Sequence, residues 1–171
     1  MKLLITTLVF LSATFCFAGE QAVEHIDKLV TSKRGVPIVL NGTESVVTKA
    51  TFRPPVEITI EAKTDSTDLR IGYAADQVIF NWRDVPHQLR VDGGAANGQH
   101  KTGAGVIPRN RYVTIRWVVT PKSQSLFVDG EKRFEHAGDY SLLEKPVSVF
   151  SDASKVSVKS IKVLKLPETA R

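Results

Sequence analysis

Acidic side chains on one predicted strand are the first candidates for chemistry in this sequence. Glu57 and Glu61 occupy polar positions of the alternating segment 56–63, so they share one face of a strand. Hydrolysis of a glycosidic bond requires two carboxyl groups about 5–9.5 Å apart, whereas four residues of strand span roughly 13 Å. The two glutamates therefore do not form such a pair and are predicted to be exposed charges on the solvent face. A pair of carboxylates from different strands remains an alternative.

Residue types that bind metals are scattered along the chain. The histidines show no His-x-His or His-x-x-x-His spacing and are His25, His87, His100 and His136. Three aspartates in or near predicted turns would supply oxygens to a calcium ion, namely Asp76, Asp84 and Asp92. Aspartates in turns also serve the backbone, and this spacing does not require a metal. The sequence therefore predicts no cofactor and leaves calcium open.

Four arginines form the best candidate for a binding surface. They lie at polar positions of predicted strands or just past one, at Arg70, Arg83, Arg90 and Arg116. If those strands are neighbours, the guanidinium groups line one sheet face and would hold sugar hydroxyls, carboxylates or sulfates. The alternative is that they pair with Glu57 and Glu61 on a solvated sheet, where ion pairs contribute little.

Residues beside these arginines extend the candidate surface. Asn81 and His87 are close in sequence and are included as candidate ligand-binding residues. An exposed tryptophan would stack on a sugar ring, but Trp82 shares its alternation with two apolar neighbours and is predicted to belong to the core. Trp117 is in phase with three apolar residues and is also predicted to be core.

The segment 92–105 contains five glycines and is predicted to be a long surface loop. No helix follows it, so it lacks the helix N-terminus that receives a phosphate. Asn97 and His100, with Gln99 and Lys101 beside them, would offer hydrogen bonds to a polar ligand. Asn97 and His100 complete the candidate set, and a mobile loop without a ligand is the alternative.

The elements that must position these side chains are predicted to be strands. Residues 56–63 alternate apolar and polar over eight positions, the pattern of a strand with one buried face. Further strands are predicted at 69–73, 78–82, 88–91, 112–120, 125–128, 132–135, 147–150 and 156–166. Turn residues separate them and no helical pattern intervenes, which predicts an all-β, two-sheet antiparallel sandwich.

Two positions predict an irregular register. A strict two-residue turn at Asp129-Gly130 would place Leu126 and Phe134 on opposite faces, so we expect an odd loop with a glycine bulge that lets both be buried. The last strand changes phase between Val158 and Ile161. A bulge near residue 160 would reconcile its two halves.

The N-terminus predicts export. Lys2 precedes an almost wholly apolar stretch over 3–17, which is shorter than the about 20 residues that cross a bilayer. The pattern is typical of a signal peptide cleaved after Ala18, which places the mature protein outside the cell or in the periplasm. We expect a lead-in over 19–35, with a helix at 20–33, then the sandwich over 36–166 and a tail at 167–171.

Composition limits the partners. Removing residues 1–18 from the 171-residue chain leaves 153 residues, and loss of Lys2 lowers the formal net charge from +5 to +4. The only cysteine, Cys16, is removed as well, so the mature domain has no disulfide. Lysines and arginines are scattered and form no basic tail, so neither nucleic acid nor a membrane span after signal cleavage is expected.

One hairpin resembles a known family. Residues 112–120 form a strand that carries Trp117, and Leu126-Phe127-Val128-Asp129-Gly130-Glu131 follows after a short loop. This segment is similar to the concanavalin A-like lectin/glucanase superfamily, in particular to the laminin-G-like domains of secreted bacterial proteins. The resemblance implies a jelly-roll with one concave sheet, often with a sugar-binding role. The Glu-x-Asp-x-x-Glu pattern of the superfamily's glucanase branch does not occur here.

Three functions follow as hypotheses, since this fold hosts different activities. The leading one is a carbohydrate-binding sandwich without catalytic activity that binds a polysaccharide or glycan on its concave face. The alternatives are a glycoside hydrolase or related sugar-processing enzyme, and a structural or protein-interaction module.

Overall fold

The computed structural model describes residues 23–24 and 36–167. Within these ranges the chain is all-β and folds into two antiparallel sheets packed as a jelly-roll sandwich, as the sequence predicts. The predicted signal peptide and residues 168–171 of the predicted tail lie outside the described residues. The same ranges contain no helix with the length and apolar character needed to cross a membrane.

One sheet has seven strands. In order, they are β1 (Val23–Glu24), β13 (Ser154–Lys165), β4 (Val56–Thr64), β9 (Val113–Thr120), β10 (Ser123–Val128) and β11 (Glu131–Ala137), with β2 (Ile38–Gly42) also paired to β13. The other sheet has six strands. They are β3 (Ser45–Val47), β12 (Ser148–Phe150), β5 (Leu69–Gly72), β6 (Gln77–Phe80), β7 (Gln88–Asp92) and β8 (Lys101–Thr102). All nine predicted strands are present, with ends within two residues of the prediction.

The core lies between the two sheets and follows from the alternation along the strands. In β4 every second residue is buried, including Val56, Ile58 and Ile60, and each such side chain contributes about 1.5–3 kcal/mol. Trp117 of β9 is 1% exposed and meets the ring of Tyr73 edge-on, with centroids 6.2 Å apart. The prediction that Trp117 belongs to the core is therefore confirmed.

The β10–β11 hairpin confirms one prediction and corrects another. Leu126 pairs with Phe134 and both are buried, so the expected shared face is confirmed. The expected odd loop is wrong. Asp129 and Gly130 form a two-residue loop with φ of 48° and 86°, the positive values that a type I′ turn requires. The register shift lies further along β11, where Arg133 is the extra residue.

The predicted bulge near residue 160 is confirmed. Pairing between β13 and β4 shifts between Val158 and Ser160, which leaves Lys159 as the extra residue. Val158 and Ile161, which stand on opposite parities of the sequence, are both fully buried as a result.

The predicted helix over 20–33 lies outside the described residues except at Val23–Glu24, where the prediction is wrong. These two residues form β1, whose partners are Val163 and Lys162 of β13. A sheet edge offers unsatisfied N–H and C=O groups, whereas a short helix is marginal without tertiary packing. Strand pairing therefore outweighs the narrow apolar stripe at these two positions.

Candidate functional site

The outer face of the six-stranded sheet carries two of the predicted arginines in one row. Residues opposite each other on neighbouring strands share a face, and the pairing aligns Phe150 of β12, Arg70 of β5, Ile79 of β6 and Arg90 of β7. In each of these strands the aligned residue alternates with the core residues, so all four point away from the core. Ile79 is only 1% exposed although it points away from the core, and the arginines paired with it on both sides have long apolar stems, the kind that cover apolar surface.

The next row of this face is smaller and more polar. It contains Ser148 of β12, Gly72 of β5, Gln77 of β6 and Asp92 of β7. A Cβ on Gly72 would lie 2.6 Å from Ser148 Oγ and 3.0 Å from the Asp76 carbonyl oxygen, so any larger residue would have to displace these neighbours. We call this outer surface, with Trp82 and Arg83 at its border, the arginine face.

A buried carboxylate anchors one end of the arginine face. Asp68 is fully buried, and its Oδ2 accepts a hydrogen bond of 2.8 Å from Arg83 Nε while Oδ1 lies 3.4 Å from Arg70 Nη2. Asp152 completes the group, because its Oδ2 is 2.7 Å from Arg70 Nη2 and 2.5 Å from Arg83 Nη2. The hydrogen bond to Asp68 raises the pKa of the Arg83 guanidinium above its ordinary value. Both arginines are thereby fixed in position.

The polar chain continues across the sheet to the other end of the face. Arg70 Nη1 donates to Gln77 Oε1 at 3.1 Å, and Gln77 Nε2 donates to Asp92 Oδ2 at 2.8 Å. The same Asp92 oxygen accepts from Arg90 Nε at 2.8 Å. The Arg90 guanidinium then stacks on Trp82, 4.3 Å from the ring centroid. The face is therefore one connected network from Arg83 to Trp82.

The prediction that Trp82 belongs to the core is wrong, because Trp82 is partly exposed and covered by Arg90. The reason is Asn81, which follows the end of β6 and has a φ of +48°. This left-handed residue breaks the alternation that Phe80 continues from the strand. The Asn81 amide is itself engaged, since it donates to Ile107 O at 3.0 Å and accepts from Ile107 N at 2.9 Å.

The expectation that all four arginines share a face is wrong for Arg116. This residue is on β9 of the seven-stranded sheet, so it lies on the opposite side of the sandwich. Its Nη1 is 3.0 Å from Glu57 Oε2, and its guanidinium lies 4.0 Å from the Phe127 ring centroid. The alternative of pairing with strand glutamates therefore holds for Arg116, whereas Glu61 pairs with Lys159 at 2.5 Å.

The remaining candidates lie in the loops around β7 and β8. Asn97 Oδ1 accepts from Gly93 N at 2.7 Å, and His100 Nδ1 accepts from Val91 N at 3.1 Å. These two side chains stabilise the conformation of the loop. His100 accepts its bond at Nδ1, which requires the ring proton to be on Nε2. His87 is exposed just before β7. The structure therefore brings Arg70, Arg83 and Arg90 into one network and leaves the loop candidates outside it.

Among the described residues, no group of three or more His, Cys, Asp and Glu side chains converges to hold a metal. Two of the three aspartates considered for calcium are ion-paired: Asp76 lies 2.9 Å from Lys145 Nζ, and Asp92 bonds to Arg90. The third, Asp84, lies in an exposed loop. These three aspartates therefore do not converge on a calcium site.

Two carboxylates do approach each other on the arginine face, which bears on the hydrolase alternative. Asp68 and Asp152 both contact Arg70 Nη2, at 3.4 and 2.7 Å. Each is also paired with Arg83, and Asp68 has no exposed surface. Glycoside hydrolysis needs one carboxyl group to reach the leaving oxygen as an acid, and a buried carboxylate held by two arginines does not offer this.

Sequence reasoning missed three residues of this network. Asp68 stands two residues before Arg70, but it precedes β5 and has a φ of +50°, so the strand alternation did not place it. Gln77 begins β6 in the parity of the outer face, so the alternation could have found it. Asp152 gave no signal, because its contact with Arg70 joins residues 82 positions apart.

Comparison with known sequences returns no relative: no protein-family model matches this chain, and no curated protein matches it.

Solved structures do share the fold. The exoplasmic/lumenal domain of VIP36, in a form bound to Ca²⁺ and Man3GlcNAc, is 10% identical with a TM-score of 0.59, over 86% of this chain and 93% of that one. A putative glycosyl hydrolase from Parabacteroides distasonis is 14% identical with a TM-score of 0.57, over 79% and 89%. The carbohydrate binding module CBM66 from Bacillus subtilis is 10% identical with a TM-score of 0.52, over 73% and 83%.

At these identities the likeness establishes the fold, and the closer resemblance to laminin-G-like domains stays a prediction. The strand order and the paired sheets agree with the fold that the Trp117 hairpin predicted. This chain therefore has the concanavalin A-like jelly-roll fold.

Proposed function

We propose that this chain is an exported, secreted or periplasmic carbohydrate-binding domain without catalytic activity, and that the arginine face holds the glycan. The observation that carries the proposal is the connected network from Arg83 to Trp82, in which charged donors and acceptors are fixed by one another. Preorganised polar groups lose little conformational entropy when a ligand binds.

The dimensions and composition of the arginine face suit an oligosaccharide. The row from Phe150 to Arg90 crosses four strands, which spans roughly 14 Å at about 4.8 Å between strands. Aromatic rings at Phe150 and Trp82 are partly exposed and stand at its two ends. A sugar ring offers apolar C–H groups to such aromatics and hydroxyls to the polar network between them.

Structures of the same fold support the kind of ligand. VIP36 is described as bound to Man3GlcNAc, and CBM66 is a carbohydrate binding module. A β-glucanase from Bacillus licheniformis has the same fold, so the fold alone does not decide between binding and catalysis. Non-catalytic binding is favoured because the carboxylates of the arginine face are held in ion pairs.

The test is a glycan array probed with the full chain purified after export, followed by calorimetry on each glycan that binds. Arg90→Ala is the diagnostic variant, and Arg116→Ala is its matched control on the other sheet. Each arginine makes one ion pair of about 3 Å and one stack on an aromatic ring. We expect Arg90→Ala to weaken binding by about tenfold or more, and Arg116→Ala to leave it unchanged.

Tryptophan fluorescence gives an independent readout. Of the two tryptophans, Trp117 is buried and Trp82 lies on the arginine face. A glycan on this face should change the fluorescence of the wild type, and Trp82→Phe should abolish that change. Absence of binding to every glycan would contradict the proposal and favour a protein-interaction role, whereas equal losses in Arg90→Ala and Arg116→Ala would contradict the placement of the glycan on the arginine face.

A further inference from the structure

The arginine face carries no net charge despite its arginines. Its guanidinium groups belong to Arg70, Arg83 and Arg90, and its carboxylates to Asp68, Asp92 and Asp152. Every one of these guanidinium groups has a carboxylate oxygen within 2.8 Å. The positive potential expected from three arginines is therefore cancelled locally.

This balance disfavours an anionic ligand. A carboxylate or sulfate placed on Arg90 would approach Asp92, whose Oδ2 is 2.8 Å from Arg90 Nε. Like charges brought together in a partly desolvated site repel each other strongly. An anionic group placed on Arg70 or Arg83 would likewise be repelled by Asp152, whose Oδ2 contacts both guanidinium groups.

The balance favours a hydroxyl group. Within the described part of the chain, the terminal Arg90 nitrogens and Asp92 Oδ1 make no hydrogen bond, and both side chains are partly exposed. The face thus presents a charged donor beside a charged acceptor. A hydroxyl both donates and accepts, so neighbouring hydroxyls of a sugar match this pair, whereas an ionised carboxylate or sulfate can only accept.

We propose, resting on the proposed function above, that the glycan bound by the arginine face is a neutral, hydroxyl-rich polysaccharide and not a uronate or a sulfated one. In this arrangement Arg90 donates to one sugar oxygen and Asp92 accepts from a neighbouring hydroxyl. Trp82 keeps the Arg90 guanidinium in place by stacking.

The test uses matched polysaccharides that differ only in charge, namely dextran with dextran sulfate and carboxyl-reduced polygalacturonate with polygalacturonate, together with the glycans that bind on the array. The decisive variant is Asp92→Asn. For a neutral ligand it removes a charged acceptor and should weaken binding about five- to tenfold. For an anionic ligand it removes a repelling charge and should strengthen binding.

Glu57→Gln is the control, since it neutralises the carboxylate that pairs with Arg116 on the other sheet. It should leave glycan binding unchanged. Thermal unfolding of each variant distinguishes a loss of affinity from a loss of the fold. Asp152→Asn repeats the test at the second partly exposed carboxylate of the arginine face.

Ionic strength supplies a second readout. Raising salt from about 0.05 M to about 0.5 M should change the affinity for a neutral ligand less than about twofold, because screening acts on charged partners. Preference for the charged member of each pair, with binding strengthened by Asp92→Asn, would overturn this inference while the arginine face stayed a glycan site. Failure of every polysaccharide and array glycan to bind would overturn the proposed function as well.

Discussion

Asp68 is the residue on which the arginine face depends. A buried carboxylate is costly unless it is paired and hydrogen-bonded, and Asp68 meets this condition through Arg83 Nε at 2.8 Å and Arg70 Nη2 at 3.4 Å. Its φ of +50° places it where the chain enters β5, and its N–H donates to Asn81 O at 3.0 Å. Backbone and side chain of Asp68 therefore both tie β5 to the turn that follows β6.

Replacing Asp68 with alanine tests this role. The variant leaves two arginines without their buried partner, and we expect the free energy of unfolding to fall by about 2–3 kcal/mol. The free energy of unfolding should not fall by the full cost of breaking a buried ion pair, because Asp152 still contacts both guanidinium groups. Urea denaturation followed by Trp117 fluorescence measures the change.

Glu144→Ala is the matched control for Asp68→Ala. Glu144 also pairs with an arginine, Arg53, but both side chains are largely exposed. Exposed ion pairs contribute little to stability, so the midpoint of the urea transition should hardly move. Equal destabilisation of Asp68→Ala and Glu144→Ala would show that burial of the carboxylate does not matter.

At the scale of elements, β13 shows how one extra residue preserves a buried face. β13 is the longest of the described strands and pairs with β1, β2 and β4. Its two halves carry apolar residues on opposite parities, and the bulge at Lys159 turns both sets toward the core. A regular strand would expose one half, because a shift of one residue exchanges the two faces.

Deleting Lys159 should therefore be far more damaging than replacing it. The deletion forces either Val156 and Val158 or Ile161 and Val163 out of the core, which removes two buried side chains worth about 1.5–3 kcal/mol each. Lys159→Ala keeps the bulge and loses the exposed pair with Glu61 and the contact of the ammonium group with the Tyr112 ring, whose centroid is 4.1 Å away. We expect the deletion variant to be unfolded by circular dichroism and Lys159→Ala to be folded. A folded deletion variant would show that the bulge is not needed.

The alternation of apolar and polar residues that predicted these strands is a local feature of the sequence. It predicted the buried residues correctly where the strand is regular. The burial of Ile58 and Trp117 follows directly from a period of two. Trp82 was placed wrongly, because a single left-handed residue, Asn81, ended the alternation without any apolar signal. Gly130 marked the turn of the β10–β11 hairpin, but the position of the bulge in that hairpin, at Arg133, depends on packing between strands and was not visible in the sequence.

The candidate site was harder to predict than the strands. Arg70 and Arg90 were assigned the correct parity, but the sheet to which a strand belongs is decided by long-range pairing. Arg116 has the same local pattern and lies on the other sheet. The contact of Asp152 with Arg70 crosses 82 residues and has no local signature.

At the scale of the whole molecule, the sandwich is held together without a disulfide among its described residues. The only cysteine of the chain, Cys16, precedes them. Stability must therefore come from burial between the sheets, and part of that buried surface is tyrosine. Tyr73 and Tyr140 are 1% and 3% exposed, and burial raises the pKa of both hydroxyls.

These tyrosines make stability fall at alkaline pH. In the unfolded chain a tyrosine ionises near its usual pKa of about 10, whereas the buried Tyr73 hydroxyl stays protonated to higher pH. The folded state then holds more protons than the unfolded state, so stability is fully present below about pH 10. It should decrease above that pH, and Tyr73 alone contributes a slope of about 1.4 kcal/mol per pH unit.

Tyr73→Phe tests this linkage. The Tyr73 hydroxyl donates to Phe52 O at 3.1 Å, so the variant should lose about 1 kcal/mol near neutral pH. Above about pH 10 its stability should fall less steeply than that of the wild type, by about 1.4 kcal/mol per pH unit, because one titrating group is gone. Urea unfolding at a series of pH values measures both effects. Lysines and arginines titrate equally in the two proteins, so an identical alkaline slope would mean that Tyr73 ionises as readily in the core as in the unfolded chain.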